Sequence, residues 1–344
     1  MADARLPEET APTEIAGSAP VQPEEVDHPG DDGYVDDESV LSQSVRSSVY
    51  DFKYENGRRY HAFREGAYFA PNDEPEQERM DIQARAMTLA SGSLLHHCPV
   101  KDPQRILDVG TGTGIWAIEA GDTYPAAEVI GCDLSPIQPD WVPPNVKFLV
   151  DDAEDTWTWP DDHFDLIFTR LLVSGSIMDK KKYFTQAFRC CKPGGWIEDH
   201  ELWSETRSDH IQLTDDMPAK RWADLMAEGI AKMGRDMRPE GSLVKSIMEE
   251  VGFVDVVHIP FKVPVGTWPA NETLKAAGGA QLIVMLDGIQ ALSLAIFTRG
   301  LGWAPEDVES FLEECRKDFK QKKKYMYWPG WIVYGRKPEN AVAT

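Results

Sequence analysis

Residues 105–114 read Arg-Ile-Leu-Asp-Val-Gly-Thr-Gly-Thr-Gly and hold the residue types best suited to binding a small molecule. An apolar run ends in three alternating glycines, and a second apolar run begins at Ile115. A strand, a glycine turn and a helix in this order present backbone amides to a ligand at the helix N-terminus. Because glycine lacks a Cβ atom, the ligand can lie against bare backbone. The sequence therefore predicts a cofactor-binding turn between a strand over 105–109 and a helix over 115–124.

The glycine spacing indicates which cofactor. Dinucleotide-binding turns follow the pattern G-x-G-x-x-G, but Ile115 stands three residues after Gly112. An NAD-dependent reductase is therefore disfavoured. The observed pattern is G-x-G-x-G with an acid, Asp108, two residues before Gly110. This pattern is typical of proteins that bind S-adenosylmethionine (SAM).

Acidic residues also follow the next two predicted strands. The segment 128–133 ends in Asp133, and an acid at this place can accept hydrogen bonds from both hydroxyls of a ribose. The segment 146–150 ends in Asp151 and Asp152, followed by Ala153. We expect Asp133, with its neighbour Leu134, to bind the ribose. The pair Asp152 and Ala153 resembles the position at which methyltransferases bind adenine, with Asp151 or a simple turn role as the alternative.

Strands and helices alternate through the middle of the chain. Further strands are predicted over 164–169 and 196–202, separated by a helix over 180–191 and a Lys-Pro-Gly-Gly turn that ends at Gly195. This alternation predicts an α/β fold with a parallel sheet and helices on both faces. Farther along, we expect a helix over 241–251, a strand over 254–263, a mostly helical segment over 267–325 and a last strand over 327–335.

Composition divides the chain of 344 residues, whose net charge is −23. The first 40 residues hold twelve acids and one base, so we expect a disordered acidic tail over 1–45. An N-terminal cap segment follows over 46–100. It includes a helix that begins near Glu74 or Glu76 and ends near Leu95. The main domain is expected over 101–340, with the helical insert inside it.

The same composition disfavours several other classes of function. An acidic chain is poorly suited to direct nucleic-acid binding, which depends on Lys and Arg. The apolar stretch 280–297 is interrupted by polar residues, so no membrane span is expected. Five cysteines without metal-ligand spacing predict no metal site and a reducing compartment. With no visible signal peptide, we expect a cytoplasmic protein, with the nucleus as the alternative.

The sequence resembles the LaeA-like group of fungal class I methyltransferases. The resemblance covers about residues 45–340. The segments that carry it are 54–61 (Tyr-Glu-Asn-Gly-Arg-Arg-Tyr-His), 71–74 (Pro-Asn-Asp-Glu), 81–82 (Asp-Ile), 106–117, 133–139 (Asp-Leu-Ser-Pro-Ile-Gln-Pro), 143–145 (Pro-Pro-Asn) and 192–198 (Lys-Pro-Gly-Gly-Trp-Ile-Glu). The resemblance implies a Rossmann-like sheet of seven strands, with an antiparallel pair at one edge and the insert 267–325 as a helical lid.

The resemblance also implies roles at the cofactor, which is SAM. Asp108, Gly110 and Gly112 should hold its methionyl end, whereas Gly114 serves either the cofactor or only the packing of helix on strand. Arg170, which follows the predicted strand 164–169, should face the cofactor or pair with an acid. Tyr60, together with Tyr68, should line a lid over the cofactor, with simple packing as the equal alternative.

A general base is needed only if the methyl acceptor is an unreactive hydroxyl or a protonated amine. The residues expected to fill this role are His200 and Glu201, at the end of the strand 196–202, and His61. A structural role is the competing interpretation for His200. The group usually has an apolar or amide residue and another acid after Glu198, but this chain has Asp199, His200 and Glu201.

Two functions follow from these observations. The first is a SAM-dependent methyltransferase that acts on a small-molecule acceptor in fungal secondary metabolism. The second is a regulatory protein of the same fold that acts in a complex with a protein partner and controls secondary metabolism and development. The intact cofactor motif favours catalysis.

Overall fold

The computed structural model describes residues 52–64, 66, 68–203 and 205–340. The predicted acidic tail 1–45 lies outside these residues. Among the described helices, none is by itself both long and apolar enough to cross a membrane. Glu272–Asp287 and Ile289–Gly300 pass that test only as a pair, with a bend of 51° between them.

A seven-stranded sheet forms the centre of the domain, and a two-stranded hairpin precedes it. The strands are β1 (Lys53–Glu55), β2 (Arg58–Tyr60), β3 (Arg105–Val109), β4 (Glu128–Asp133), β5 (Val146–Val150), β6 (Phe164–Arg170), β7 (Cys191–Leu202), β8 (Val254–Pro264) and β9 (Tyr327–Arg336). The order in the large sheet is β5-β4-β3-β6-β7-β9-β8. Strands β3 to β7 run parallel, and β9 is antiparallel to both of its neighbours. The predicted seven-stranded α/β fold is confirmed.

Helices cover the sheet. They are α1 (Glu74–Ala90), α2 (Ile115–Thr123), α3 (Lys180–Cys190), α4 (Pro218–Lys232), α5 (Gly241–Val251), α6 (Glu272–Asp287), α7 (Ile289–Ala295) and α8 (Pro305–Phe319), and a π-helical turn spans Ile296–Gly300. Helix α1 ends five residues before the predicted end at Leu95. It ends there because Gly92 takes a positive φ of 109° and the Ser93 amide turns back to the Thr88 carbonyl. Helix α4 was not predicted from the sequence.

The Lys-Pro-Gly-Gly turn lies inside β7. Cys191 pairs with Phe164, and the next paired residue of β7, Trp196, lies opposite Leu166. The four residues between them are therefore a bulge, in which Gly194 has a φ of 80°.

Helix α1 packs between the cofactor side of the sheet and the helical insert. Its buried face includes Met87 and Ala90, which share one core with Leu274 and Met285 of the insert. The insert thus packs behind α1, and the polar residues of α1 point toward the carboxyl ends of the strands. This arrangement makes α1 one wall of the site.

The hairpin β1–β2 is fixed to the start of α1 by charged hydrogen bonds. Its turn residues Asn56 and Gly57 both have positive φ, as a two-residue hairpin turn requires. Arg58 binds the two carboxylate oxygens of Asp73 at 2.7 Å each. Asp73 in turn caps α1 by accepting from the Glu76 amide. The hairpin and the helix therefore position each other.

Candidate active site

A pocket opens at the carboxyl ends of β3, β4 and β6, with about 1270 Å³ of empty space including its mouth. In a parallel sheet these ends meet at one edge, where ligands bind in open α/β folds. Residues from the glycine turn, from α1, from the segment after β2 and from the loop after β6 line the pocket. The candidate residues brought together here are Asp108, Gly110, Gly112, Asp133, Leu134, Asp152, Ala153 and Arg170.

The glycine turn supplies bare backbone to this pocket. Gly110 and Gly112 have φ values of 71° and 58°, a region that L side chains avoid. A Cβ atom on Gly110 would stand 3.0 Å from the Leu172 side chain. Gly114 does not line the pocket. A Cβ atom on Gly114 would stand 2.4 Å from the ring of Phe148, so this glycine permits close packing of α2 on β5.

Two polar side chains hold the turn from outside. The Gln138 amide donates to the carbonyl oxygens of Gly112 and Ser135, at 2.6 and 2.9 Å. The Thr113 hydroxyl donates to Asp81 of α1. The Ile-Gln-Pro motif noted in the sequence thus acts through Gln138, which fixes the shape of the glycine turn.

Asp108 is buried at the end of β3 and accepts a hydrogen bond from the Thr111 hydroxyl at 2.5 Å. Burial raises the pKa of Asp108 to about 7, although the Thr111 hydrogen bond and the nearby positive charge of Arg170 act in the opposite direction. A cation bound beside Asp108 would favour its ionised form.

Asp133 ends β4 and receives two backbone hydrogen bonds, from the amides of Gly112 and Ser135 at 2.9 Å each. Burial raises the pKa of Asp133, and these hydrogen bonds act against that rise. Each carboxylate oxygen can accept more than one hydrogen bond. Asp133 therefore retains acceptor capacity for a ligand while it holds the turn.

The acids after β5 differ in their surroundings. Asp152 accepts from the Glu154 amide at 2.9 Å and lies 3.5 Å from the Arg64 guanidinium. Asp151 accepts from the Asp152 amide at 2.8 Å, and burial raises its pKa. The segment that carries Arg64 therefore passes close to the residues predicted for the adenine.

Arg170 ends β6 and lines the pocket. Burial lowers its pKa, and the charge of Asp108 opposes this shift. Within the described part of the chain, no carboxylate forms an ion pair with Arg170. A partly buried guanidinium that forms no ion pair with the described carboxylates can bind an anion.

The wall from α1 was not predicted. Arg79, Met80, Gln83 and Ala84 line the pocket. The Arg79 guanidinium binds both carboxylate oxygens of the buried Glu76, at 2.8 and 2.9 Å, and also contacts Gln83. The sequence did carry a signal for this wall: Glu76, Arg79 and Gln83 are polar residues three and four positions apart, which places them on one face of a helix.

His200 and Glu201 do not line the pocket. His200 Nε2 lies 2.5 Å from Glu198 Oε1, and its ring packs at 4.9 Å, edge to face, against Phe168, which lines the pocket. Glu198 also accepts from the amides of His97 and Cys98. Burial acts to raise the pKa of Glu198, but the bond from His200 and the nearby positive charges lower it to about 2.

Glu201 is buried on the other face of β7 and accepts from the Ser174 amide at 3.1 Å. Burial raises the pKa values of Glu201 and of its neighbour Asp199, and the repulsion between these two acids adds to the rise at Asp199. The structure thus places both predicted bases of β7 behind the wall of the pocket.

The residues predicted for a lid separate into two groups. Tyr68 lines the cofactor pocket. Tyr60 does not line it, and neither does His61, which was predicted as a general base; both line a second cavity beside it. His61 Nε2 lies 3.2 Å from the Arg64 carbonyl oxygen. In the described residues no position of the insert 267–325 lines the cofactor pocket, because α1 stands between them.

Comparison with known proteins agrees with this geometry. Residues 55–258 match a family model described as a methyltransferase domain. The chain is 37% identical over 299 residues to Methyltransferase pytC of Aspergillus terreus. The alignment covers 86% of this chain and 91% of that protein. It is 37% identical over 292 residues to Secondary metabolism regulator LAE1 of Cochliobolus heterostrophus, and the alignment covers 83% of this chain and 94% of that protein. It is 34% identical over 298 residues to Protein-methionine methyltransferase laeA of Emericella nidulans, with coverages of 86% and 79%.

The sheet order and the pocket at its carboxyl edge define a class I methyltransferase that uses SAM. Within that class, the chain belongs to the LaeA-like family of fungal methyltransferases. The pocket residues fit this cofactor. The glycine turn leaves its backbone bare, Asp133 has acceptor capacity left, and Arg170 can take a carboxylate.

Proposed function

We propose that this chain transfers the methyl group of SAM to a small-molecule acceptor of secondary metabolism. The observation that carries the proposal is that the polar residues suited to the cofactor line the same pocket as the apolar residues Leu171, Leu172 and Ile177. Apolar lining beside the cofactor residues favours a small, partly apolar acceptor and reduces its contact with water. Orientation and exclusion of water are the main requirements of this transfer.

The proposed roles follow the chemistry of each group. Asp108 accepts from the ammonium of SAM, Arg170 binds its carboxylate, and Gly110 and Gly112 give its methionyl part access to the backbone. The remaining roles are ribose binding by Asp133 and Leu134 and adenine binding by Asp152 and Ala153. When bound, SAM supplies an electrophilic methyl group on a sulfonium. The residues of this chain orient the two reactants.

A second candidate function is methylation in a regulatory complex with a protein partner. It is favoured by the names of two relatives, a secondary metabolism regulator and a protein-methionine methyltransferase. We propose the cytoplasm as the location for the small-molecule reaction and the nucleus for the regulatory one.

One experiment separates the two functions. The purified chain is incubated with methyl-labelled SAM and either a metabolite extract or a protein extract of its source organism. We expect label in a small-molecule product identified by mass spectrometry, and none with the Asp133→Ala variant, which lacks the proposed ribose acceptor. Label only in protein, or only after a partner protein is added, would support the regulatory function instead.

A further inference from the structure

A cluster of three side chains with metal-ligand atoms lines neither cavity. His96 and Cys98 stand in the loop before β3, and Glu198 stands on β7. A ring nitrogen, a sulfur and a carboxylate oxygen, one from each residue, all lie within 4.8 Å of one another. In the part of the chain that the structure describes, no other His, Cys, Asp and Glu side chains form such a group. We infer that this cluster binds one zinc ion, which ties the loop to the sheet.

The first argument is the distance between the ligand atoms of the loop. His96 Nδ1 lies 3.8 Å from Cys98 Sγ. Zinc binds nitrogen at about 2.0–2.1 Å and sulfur at about 2.3 Å in a tetrahedral geometry, which places two such ligands about 3.6 Å apart. The two loop residues are therefore spaced to bind one ion with little rearrangement.

The second argument is the hydrogen bonding around the ligands. A histidine that binds a metal usually donates its other ring N–H to an oxygen. His96 Nε2 lies 2.5 Å from the Tyr124 hydroxyl, which can accept that hydrogen bond and leave the lone pair of Nδ1 for the ion. In the same way, His200 Nε2 lies 2.5 Å from Glu198 Oε1 and orients that carboxylate. Both ligands therefore have the outer partners of a metal site.

The Glu198 carboxylate also has an oxygen to give to the ion. The His97 amide is shared between its two oxygens, at 2.8 Å from Oε1 and 2.9 Å from Oε2. Since one hydrogen bond satisfies this amide, the bond to Oε1 can remain while Oε2 turns its lone pair to the ion. The carboxylate stays fixed to the loop in either state.

The third argument is the chemistry of the donor set. Zinc accepts nitrogen, sulfur and carboxylate oxygen, whereas calcium and magnesium favour oxygen ligands alone. When zinc binds, the Cys98 thiol loses its proton to the solvent. The resulting thiolate and the Glu198 carboxylate then balance the two charges of the ion, at a place where both side chains are buried. Three protein ligands leave the fourth tetrahedral position to a water molecule.

The position of the cluster indicates a structural role for the ion. Glu198 lies 100 residues from Cys98 in the chain, so the ion would join distant segments. This separation is also why cysteine spacing did not predict a metal site. None of the three ligands lines the cofactor pocket, so the ion would stabilise the fold and take no part in methyl transfer.

The test uses the full chain, stripped of metal with dipicolinate and dialysed. Competition against a chromophoric zinc chelator measures the stoichiometry and the Kd. We expect about one zinc ion per chain and a Kd of about 100 nM or lower. Calcium and magnesium should not compete, because the cluster has only one oxygen ligand. Cobalt(II) should give a thiolate charge-transfer band in the near ultraviolet, which reports a metal–sulfur bond.

The variant Cys98→Ala should bind zinc at least about 100-fold more weakly and lose the cobalt band. Cys315→Ala is the matched control, because Cys315 is also a buried free cysteine and lies outside the cluster. Tyr124→Phe keeps all three ligands and should weaken zinc binding about tenfold, since it removes the partner of His96. Calorimetry with S-adenosylhomocysteine (SAH) shows that each variant is folded.

Zinc should also raise the melting temperature of the parent chain and of Cys315→Ala, but not that of Cys98→Ala. Equal zinc binding by Cys98→Ala and the parent chain would overturn the inference, as would the absence of the cobalt band from the parent chain. A parent chain that binds SAH but no zinc refutes this inference and leaves the proposed function standing.

Discussion

His200 Nε2 lies 2.5 Å from Glu198 Oε1, and this pair links strand β7 to the loop at residues 97–98. Both residues are buried, and the ring of Phe168 lies against His200. The pair therefore serves the structure of the sheet rather than the reacting groups.

Glu198→Gln should lower the free energy of unfolding by about 3–5 kcal/mol, because it leaves buried donors without their charged acceptor. The measurement is urea unfolding, with SAH calorimetry to show that binding persists in the folded fraction. Glu128→Gln is the control, since Glu128 pairs with Lys147 at the surface and should cost less than about 1 kcal/mol.

The same carboxylate gives a pH dependence. Its pKa is about 2 in the folded chain, below the ordinary value of 4.5. Its stabilising effect is therefore complete above pH 4.5 and is lost as the pH falls from 4.5 toward 2.

If His200 is instead the catalytic base, His200→Gln will abolish methyl transfer and leave the unfolding free energy unchanged.

Asp108 should make SAM binding depend on pH. Its pKa is raised from 3.8 to about 7, so the folded chain without cofactor holds this proton more tightly than the unfolded chain. Its contribution to stability therefore decreases as the pH rises from 3.8 to about 7. If the ammonium of SAM binds here, it favours the carboxylate. Affinity should then rise with pH up to about 7, with release of a proton below that pH.

Calorimetry at about pH 6 in two buffers of different ionisation enthalpy measures that proton. Asp108→Asn should bind SAM more weakly and remove both the proton release and the pH dependence. Proton release that persists in Asp108→Asn would assign the titration to another group.

Arg170→Met tests the proposed carboxylate contact. The parent chain should prefer SAM over decarboxylated SAM by about 1.5–3 kcal/mol, and the variant should lose most of this preference. Calorimetry with both ligands and both chains gives a double-mutant cycle. Arg105→Met, at the opposite end of β3, is the control. A preference that is unchanged in Arg170→Met would show that another group binds the carboxylate.

Gly114→Ala tests the packing role of the third glycine. The new Cβ would meet the Phe148 ring at 2.4 Å, at a φ of 84°. We expect a loss of about 3–5 kcal/mol in unfolding free energy, from overpacking and backbone strain together. Gly302→Ala is a matched control with a φ of 74° and open space around it, so it should show the strain alone, about 1–2 kcal/mol. Adding Phe148→Leu should recover part of the loss, and no recovery would mean that the ring is not the obstacle.

Local sequence patterns predicted much of the sheet. The bounds of β3, β4 and β5 agree with the prediction, and those of β6 and β8 differ by one residue at one end. Buried parallel strands are short apolar runs, and each here is bounded by a turn or an acid. Helix α1 was predicted too long, because a single glycine, Gly92, ends it.

Long-range contacts explain what the sequence analysis missed. Tyr60 and Tyr68 stand eight residues apart in one polar segment, yet only Tyr68 lines the cofactor pocket. The partner of His200 is Glu198 on the same strand, but its burial depends on Phe168 and on the loop at residue 97. The alternation of side chains along a strand does not identify these neighbours.

The sequence by itself determined the succession of strands along the chain, the glycine turn and the class of cofactor, because these depend on residues close together in the chain. Asp108, Gly110 and Gly112 lie within five residues, and parallel strands bring Asp133 to the same edge. Only the tertiary structure decided that α1 rather than the insert walls the pocket and that the bases of β7 lie behind it. Those arrangements depend on the packing of segments more than 100 residues apart, such as α1 against α6.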